Sequence, residues 1–256
     1  MTDLDRTLLR TDKTLSERTI RILRRCHEEG ITLMIATARP ERAIGEYLKR
    51  IPFDAAATLN GAVVLLPGGK EAWPISADSA RQMLTALSAF PEAFISMETA
   101  SGILANRPIP EWSAMVCDSL LTPIGQTEIY KILISSPDRT FVERMARVLT
   151  PDTYFTLANG TLMQIMSRRA TKWQGILTML RAFGLSPEEA VYFGDDQDDL
   201  EPLRCCGIGV AVANALDEVK LAADTVTKSN DEDGVADYLE TVLAARGHEA
   251  PQQSVR

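Results

Sequence analysis

Two aspartates, Asp3 and Asp5, stand near the start of the chain with one residue between them. On an extended strand such residues point to the same side. If a strand ends here, both carboxylates face one pocket at its C-terminal edge, where open α/β sheets bind ligands. One carboxylate then suits a nucleophile and metal ligand, the other an acid and base. Alone, the pair is equally the pattern of a helix N-cap or a solvated acidic turn. Thr37 closes the apolar run Ile31 to Ala36. Its hydroxyl, with the N–H groups of Ala38 and Arg39, suits a phosphate oxygen at a helix start, and a plain N-cap uses the same residue. The densest charge lies in Gly194-Asp195-Asp196-Gln197-Asp198-Asp199, directly after the apolar run Ala190 to Phe193. Carboxylates packed this closely repel unless a cation is present. Oxygen ligation suits Mg²⁺, which takes one or two carboxylates, substrate phosphate and waters. A solvated acidic loop is the alternative. Lys172 opens a helical stretch, where an ammonium can offset charge on a transferring phosphoryl group or simply sit at the surface.

These residues need elements to hold them. Short apolar runs alternate with amphipathic stretches, the pattern of a parallel sheet covered by helices. Leu15 to Glu29 reads as a helix with Ser16 at its N-cap and Gly30 as its stop. Ile31 to Ala36 follows as a buried strand. A helix over Arg39 to Arg50 and a strand over Ala55 to Leu59 come next, closed by Asn60-Gly61. The texture then changes. Hairpins about Pro67-Gly68-Gly69 and Asn159-Gly160 flank helices over Asp78 to Phe90 and Thr140 to Leu149. Strands are expected over Phe94 to Glu98, Ile103 to Asn106 and Glu128 to Ser135. The α/β pattern returns with a helix over Lys172 to Phe183 and a strand over Ala190 to Phe193. The expected class is α/β: a Rossmann-like parallel-sheet core of residues 1–61 and 167–256, interrupted by an α+β cap domain of residues 62–166.

Composition bounds the function. With 256 residues, 45% of them hydrophobic and 24% charged, the chain can bury a sizeable core. A net charge of −8 argues against nucleic acid, which needs clustered Lys and Arg. No apolar run approaches the roughly 20 residues of a membrane span. The four cysteines, Cys26, Cys117, Cys205 and Cys206, have neither zinc-ribbon nor CxxC spacing. With only His27 and His248, histidine-based metal or triad chemistry is poorly supplied. Free thiols without an export signal point to the cytoplasm.

In order and spacing, the elements resemble the four motifs of the haloacid dehalogenase superfamily, and most of all its Cof-type (type IIB) hydrolases, which carry a large inserted α+β cap. Asp3-Leu4-Asp5-Arg6-Thr7-Leu8-Leu9 is similar to DxDGTLL, and Ala36-Thr37-Ala38-Arg39-Pro40 to ATGRP. Asn60-Gly61-Ala62 resembles the NGA at the cap entry, and Phe193-Gly194-Asp195-Asp196 through Asp199 resembles FGDGxND. Asn214-Ala215 and Asp231-Glu232-Asp233-Gly234-Val235 resemble the NA and EDGV segments. The resemblance covers nearly the whole chain. It implies a Mg²⁺-dependent phosphatase for a small phosphorylated metabolite, such as a sugar phosphate, acting through an aspartyl-phosphate. Asp3 would attack phosphorus and share the metal. Asp5 would protonate the leaving oxygen and then activate water, with its backbone carbonyl on the metal. Asp195 would complete the ligands, supported by Asp199. Thr37, Lys172 and the backbone of Leu4 and Ala38 would hold the phosphate, with Asp198 alongside. A phosphomutase, or a weakly catalytic phosphate-binding protein, is the alternative on this scaffold. The only partner implied is the small phosphorylated substrate, taken by a monomer or a homodimer. Three positions depart from the pattern. Arg6 replaces the usual glycine, and Asp198 replaces a phosphate-contacting asparagine. Only Met1 and Thr2 precede Asp3, where the family has several apolar residues, so a curtailed first strand is expected.

Overall fold

The computed structural model describes residues 1–109, 113–135, 139–158 and 162–249. The Asn159-Gly160 turn lies outside the described residues. After an extended start, Met1 to Asp3, helix α1 (Glu17–Glu28) begins at Ser16, whose hydroxyl accepts the Thr19 N–H at 3.0 Å. Then come β1 (Met34–Ala36), α2 (Gly45–Leu48), β2 (Ala55–Thr58), β3 (Val63–Leu66), β4 (Gly69–Ala72) and α3 (Ala77–Leu87). A second group holds β5 (Phe94–Thr99), β6 (Gly102–Ala105), β7 (Met115–Val116), β8 (Ile129–Ser135), α4 (Arg139–Ala146), β9 (Thr153–Ala158) and β10 (Leu162–Ser167). The chain closes with α5 (Lys172–Ala182), β11 (Val191–Gly194), α6 (Leu200–Cys205), β12 (Ile208–Val212), α7 (Asp217–Ala222), β13 (Thr225–Thr227) and α8 (Gly234–Glu249).

The core sheet is assembled around the first three residues. β1 pairs in parallel with β2, β11 with β12, and β12 in turn with β13. Thr2 joins these halves, bridging Ile35 on one side and Phe193 on the other. Its N–H donates to the Met34 carbonyl at 3.1 Å, and the Asp3 N–H donates to the Phe193 carbonyl at 2.9 Å. A cavity of about 470 Å³ lies beside Met1, lined by Leu23, Leu33, Phe53 and Leu185 among others. Strands β1, β2 and β12 are apolar at nearly every position because helices cover the sheet. Helix α1 packs on α8, and α5 packs on β1, β2 and β3.

Three local differences from the sequence reading have clear causes. The strand expected from Ile31 starts only at Met34, because the Ile31 N–H instead caps α1 by donating to the Cys26 carbonyl at 2.9 Å. The helix expected over Arg39 to Arg50 is broken into a 3₁₀ turn, Glu41–Ala43, and the short α2. Pro40 is extended, and Ile44, at φ −111°, departs from regular helix. The β3–β4 hairpin pairs antiparallel with β2 and lengthens the core sheet.

A second sheet, in the order β7-β6-β5-β8-β10-β9, is antiparallel except for the β6–β7 pair. Its alternation follows the two-residue period of strands. Ile95, Met97, Ile132, Ile134, Met163 and Ile165 pack in a core of their own with Ala80, Met83 and Leu87 of α3. Glu98, Lys131 and Gln164 occupy the alternate positions.

Candidate active site

Asp3, β1 and β11 end side by side, so the segments after them converge at one sheet edge. Lys172, at the first turn of α5, reaches into that edge and is only 4% exposed. Its ammonium donates to Asp3 Oδ1 at 3.1 Å and to Asp199 Oδ1 at 2.6 Å, and lies 3.1 Å from Asp198 Oδ1. Burial alone would lower its pKa, but Asp198, Asp199 and Asp3 together hold it well above the ordinary lysine value. Asp3 is pushed well above the usual carboxylate range. Burial is the main cause, opposed by Lys172 and reinforced by Asp199, Asp198 and Asp195. Burial likewise raises Asp195 to about 6, although its Oδ1 accepts the Thr7 hydroxyl at 2.7 Å.

Asp199 is fully buried and organises the loop. Besides Lys172, it accepts the Tyr192 hydroxyl at 2.6 Å and the N–H groups of Asp195 and Asp196 at 2.9 and 3.1 Å. Its tight seat explains Gly194, where a Cβ would stand 2.5 Å from the Asp199 Cβ. Carboxylate oxygens of Asp3, Asp195 and Asp199 lie within 4.8 Å of one another. The donor set fits a hard divalent cation. Burial is the main cause that raises Asp3 and Asp195, their acidic neighbours add to it, and a bound cation would favour their ionised forms. The Asp199 oxygens already accept four hydrogen bonds, so Asp3 and Asp195 are the freer ligands.

The Asp5 carboxylate is held by other partners. Arg39 Nε and Nη2 grip it at 2.6 and 2.7 Å, and Lys13 Nζ donates at 2.7 Å. Burial would raise its pKa, but the hydrogen bonds from Arg39 and Lys13 outweigh that and hold it below the usual range. Thr37 is buried, and its hydroxyl accepts the Arg39 N–H at 3.1 Å. Among the described residues, the N–H groups of Leu4 and Ala38 have no protein acceptor. Arg6 takes the left-handed conformation (φ 62°) that glycine would adopt, and its Nε lies 3.8 Å from Asp195 Oδ2. Asp198 Oδ2 accepts the Asn60 amide at 2.7 Å.

Among the residues that sequence reasoning missed, Lys131 is the most consequential. It is 2% exposed on β8 and reaches the core, donating to Asn60 Oδ1 at 2.6 Å. The signal was present, since it is the one charge in Ile129 to Ile134. Other polar residues of this part of the chain serve structure. Glu98 forms a bidentate pair with Arg42 at 2.7 Å, tying the second sheet to the 3₁₀ turn Glu41–Ala43 of the core. Asn106 and Arg107 serve local structure, bonding Ala93 and Pro91 carbonyls at 2.8 and 2.6 Å.

A parallel core sheet, a buried lysine among clustered aspartates and a second, largely antiparallel sheet define a capped α/β hydrolase. Residues 1–239 match the model of the haloacid dehalogenase-like hydrolases, and the chain belongs to that family. A 5-amino-6-(5-phospho-D-ribitylamino)uracil phosphatase of Bacillus subtilis is 26% identical over 257 residues, spanning 93% of this chain and 94% of its own length. A phosphoglycolate phosphatase of Methanopyrus kandleri is 24% identical over 247 residues, spanning 95% of this chain and 96% of its own. A solved haloacid dehalogenase-like hydrolase from Bacteroides thetaiotaomicron shares the fold with a TM-score of 0.83 at 23% identity, covering 94% of this chain and 97% of its own. A solved HAD subclass IIB sugar phosphatase does so at 0.81, also at 23% identity and with the same coverage. The α/β class with an added cap, read from the sequence, is the fold of these proteins, and the subclass is the Cof-type one. No helix among the described residues is long and apolar enough to cross a membrane.

Proposed function

We propose that the chain is a phosphatase for a small phosphorylated metabolite, a sugar phosphate or a similar phosphomonoester, working through a phosphorylated Asp3. The observation that carries this reading is Lys172 bridging Asp3 and Asp199, beside Asp195 and the free N–H groups of Leu4 and Ala38. The relatives named as phosphatases support it. Mg²⁺ held by Asp3 and Asp195, with the Asp5 backbone carbonyl and with Asp199 in support, would draw negative charge from the phosphoryl group. Lys172, Thr37 and the backbone N–H groups of Leu4 and Ala38 hold the phosphate oxygens, with Asp198 next to them. A carboxylate oxygen of Asp3 attacks phosphorus. Asp5, which Arg39 and Lys13 favour in its ionised form in the free site, takes up a proton from solvent as substrate binds, and the bond from phosphorus to the leaving oxygen breaks as Asp5 hands that oxygen the proton. Water then gives a proton to Asp5 and attacks the phosphorus, and the bond from phosphorus to Asp3 breaks. Phosphate leaves, and both carboxyls return to their starting states. Residues 62–166 act as the cap over a core of 1–61 and 167–256 and choose the substrate, although the first hairpin of that segment, β3–β4, extends the core sheet. The reading places the enzyme in the cytoplasm, as a monomer or homodimer that handles small molecules and not nucleic acid or membrane.

The test is phosphate release from p-nitrophenyl phosphate and a panel of sugar phosphates, with Mg²⁺ or with EDTA. Release that needs Mg²⁺ and disappears in Asp3→Asn is expected. A folded wild-type chain that binds Mg²⁺ but releases no phosphate from any of them would overturn the reading.

A further inference from the structure

Lys172 serves three carboxylates at once: Asp3, Asp198 and Asp199. Of these, Asp3 and Asp199 have assigned work, as nucleophile and loop organiser. Asp198 adds a further negative charge and competes for the same ammonium. A second buried cation stands near it, and it comes from the other sheet. Lys131 donates to Asn60 Oδ1 at 2.6 Å, to Gln164 Oε1 at 2.9 Å and to the Ala38 carbonyl at 3.4 Å. These acceptors are all neutral. A fully buried ammonium with neutral partners alone is costly. Burial indeed draws Lys131 down to about 8, and the charge that most opposes this is Asp198, followed by Glu98.

Asn60 lies between the two charges and is used at both ends. Its Oδ1 accepts from Lys131, and its Nδ2 donates to Asp198 Oδ2 at 2.7 Å. Only this orientation of the amide satisfies both neighbours. Turned over, it would set its NH₂ against an ammonium and its oxygen against a carboxylate. The backbone supports the arrangement, since Asn60 holds φ 56° beside Gly61, which is pressed against Thr171.

We propose that Lys131 is a positioning residue of the phosphate site: acting through the Asn60 amide, it offsets the charge of Asp198 and leaves Lys172 to Asp3 and the phosphoryl group. This rests on the phosphatase reading given above. Lys131 belongs to the second sheet, whereas Asn60 and Asp198 belong to the core. The charge balance of the phosphate site is therefore complete only when the two sheets are docked as they are here.

The experiment is a double-mutant cycle of Lys131→Met and Asp198→Asn in the full chain. The readouts are kcat and KM for p-nitrophenyl phosphate with Mg²⁺, inhibition by inorganic phosphate, and Tm without metal. In the wild-type background, Lys131→Met should lower kcat/KM and weaken phosphate inhibition about tenfold. That is about 1.4 kcal/mol, within the coupling of roughly 0.5–3 kcal/mol seen in hydrogen-bonded networks. In the Asp198→Asn background the same change should cost less than about threefold, because no charge remains to be offset. Equal losses in both backgrounds, or no loss in either, would overturn the proposal, and the former would mean that Lys131 meets the substrate directly. If the wild-type chain releases no phosphate, the phosphatase reading fails. The Tm cycle then still decides: a drop with Lys131→Met that shrinks or reverses in Asp198→Asn supports the coupling, and an unchanged drop refutes it. A Lys131→Met chain that unfolds while the double variant folds counts as rescue, and loss of folding in both counts against it.

Discussion

At the scale of single residues, the contact that matters most for turnover is the grip on Asp5. An acid must be aimed at the leaving oxygen, and two of the three side-chain hydrogen bonds to Asp5 come from Arg39. The third comes from Lys13, whose side chain is half exposed. Arg39→Ala should therefore leave the carboxyl poorly oriented. A nitrophenolate departs with little protonation, whereas an alkoxide needs the proton, and a placed acid contributes on the order of 10²–10⁴-fold. The expected result is a fall in kcat at least about tenfold greater for a sugar phosphate than for p-nitrophenyl phosphate. Equal falls for the two esters would show that Arg39 acts on the phosphoryl group and not through Asp5. Arg6 is a residue-scale matter of stability. It holds φ 62°, its side chain is 60% exposed, and that side chain's polar contacts are long, 3.5 Å to the Asn214 carbonyl and 3.8 Å to Asp195. A left-handed conformation costs an ordinary residue about 1–2 kcal/mol. Arg6→Gly should therefore stabilise the fold by about 0.5–1 kcal/mol after the added freedom of the unfolded chain is counted, as read from urea unfolding.

At the scale of elements, the strand ends were legible because each follows a mostly apolar run. Ala36 precedes Thr37, and Gly194 precedes Asp195, so the sequence itself marks where the sheet stops and the chemistry begins. The lysine at the start of α5 was legible for a similar reason, since Thr171 caps that helix. The break between Pro40 and Gly45 was not, because it depends on how the segment turns over the sheet edge, which helical periodicity does not encode. Nor was Lys131. One lysine in an apolar strand reads as solvated until the sheet is docked, and only then does the alternate face turn out to meet Asn60, 71 residues away. The Arg42–Glu98 pair, 56 residues apart, is hidden in the same way. The Asn60-Gly61 turn, by contrast, was read as a turn from its residues alone, and the structure shows why glycine is needed there. Gly61 has φ 88°, and a Cβ on it would come within 2.1 Å of the Thr171 carbonyl oxygen. Gly61→Ala should destabilise the protein by more than the roughly 1–3 kcal/mol of backbone strain alone. Gly68→Ala, with no atom within 4 Å of the new methyl, should be nearly neutral. Chemical denaturation of the two variants side by side checks the contrast, and similar losses would show that the approach of α5 to this turn is not tight.

At the scale of the whole molecule, a small apolar cluster with Leu59, Ala62, Tyr130 and Met166 joins the sheets, and the Arg42–Glu98 and Lys131–Asn60 contacts fasten them over the site. The same architecture buries carboxylates at the sheet edge, and this ties the stability of the entire fold to protons and cations. Asp195 is 5% exposed, and its carboxyl is raised from 3.8 to about 6. A carboxyl raised by folding lends its stability in full below pH 3.8. That contribution is lost as the pH climbs through about 6. The metal-free protein should thus gain stability as the pH falls from 7 to 5, over the window set by this group. Asp195→Asn removes the group, so it should flatten that part of the curve. At pH 7 without metal it should be more stable than wild type by on the order of 2–3 kcal/mol, since each pKa unit corresponds to about 1.36 kcal/mol. Mg²⁺ should reverse the ranking. A bound cation stabilises the folded state by mass action, and it competes with the protons that Asp195 would otherwise take up. The Tm rise on adding Mg²⁺ should therefore be larger at pH 7.5 than at pH 5.5 in the wild-type chain, and small in Asp195→Asn at either pH. Thermal melts of both proteins in EDTA and in Mg²⁺ measure all four quantities. An Asp195→Asn protein less stable than wild type in EDTA at pH 7 would mean that the carboxylates at this edge are already balanced by Lys172, and that the cluster is not poised for a metal ion.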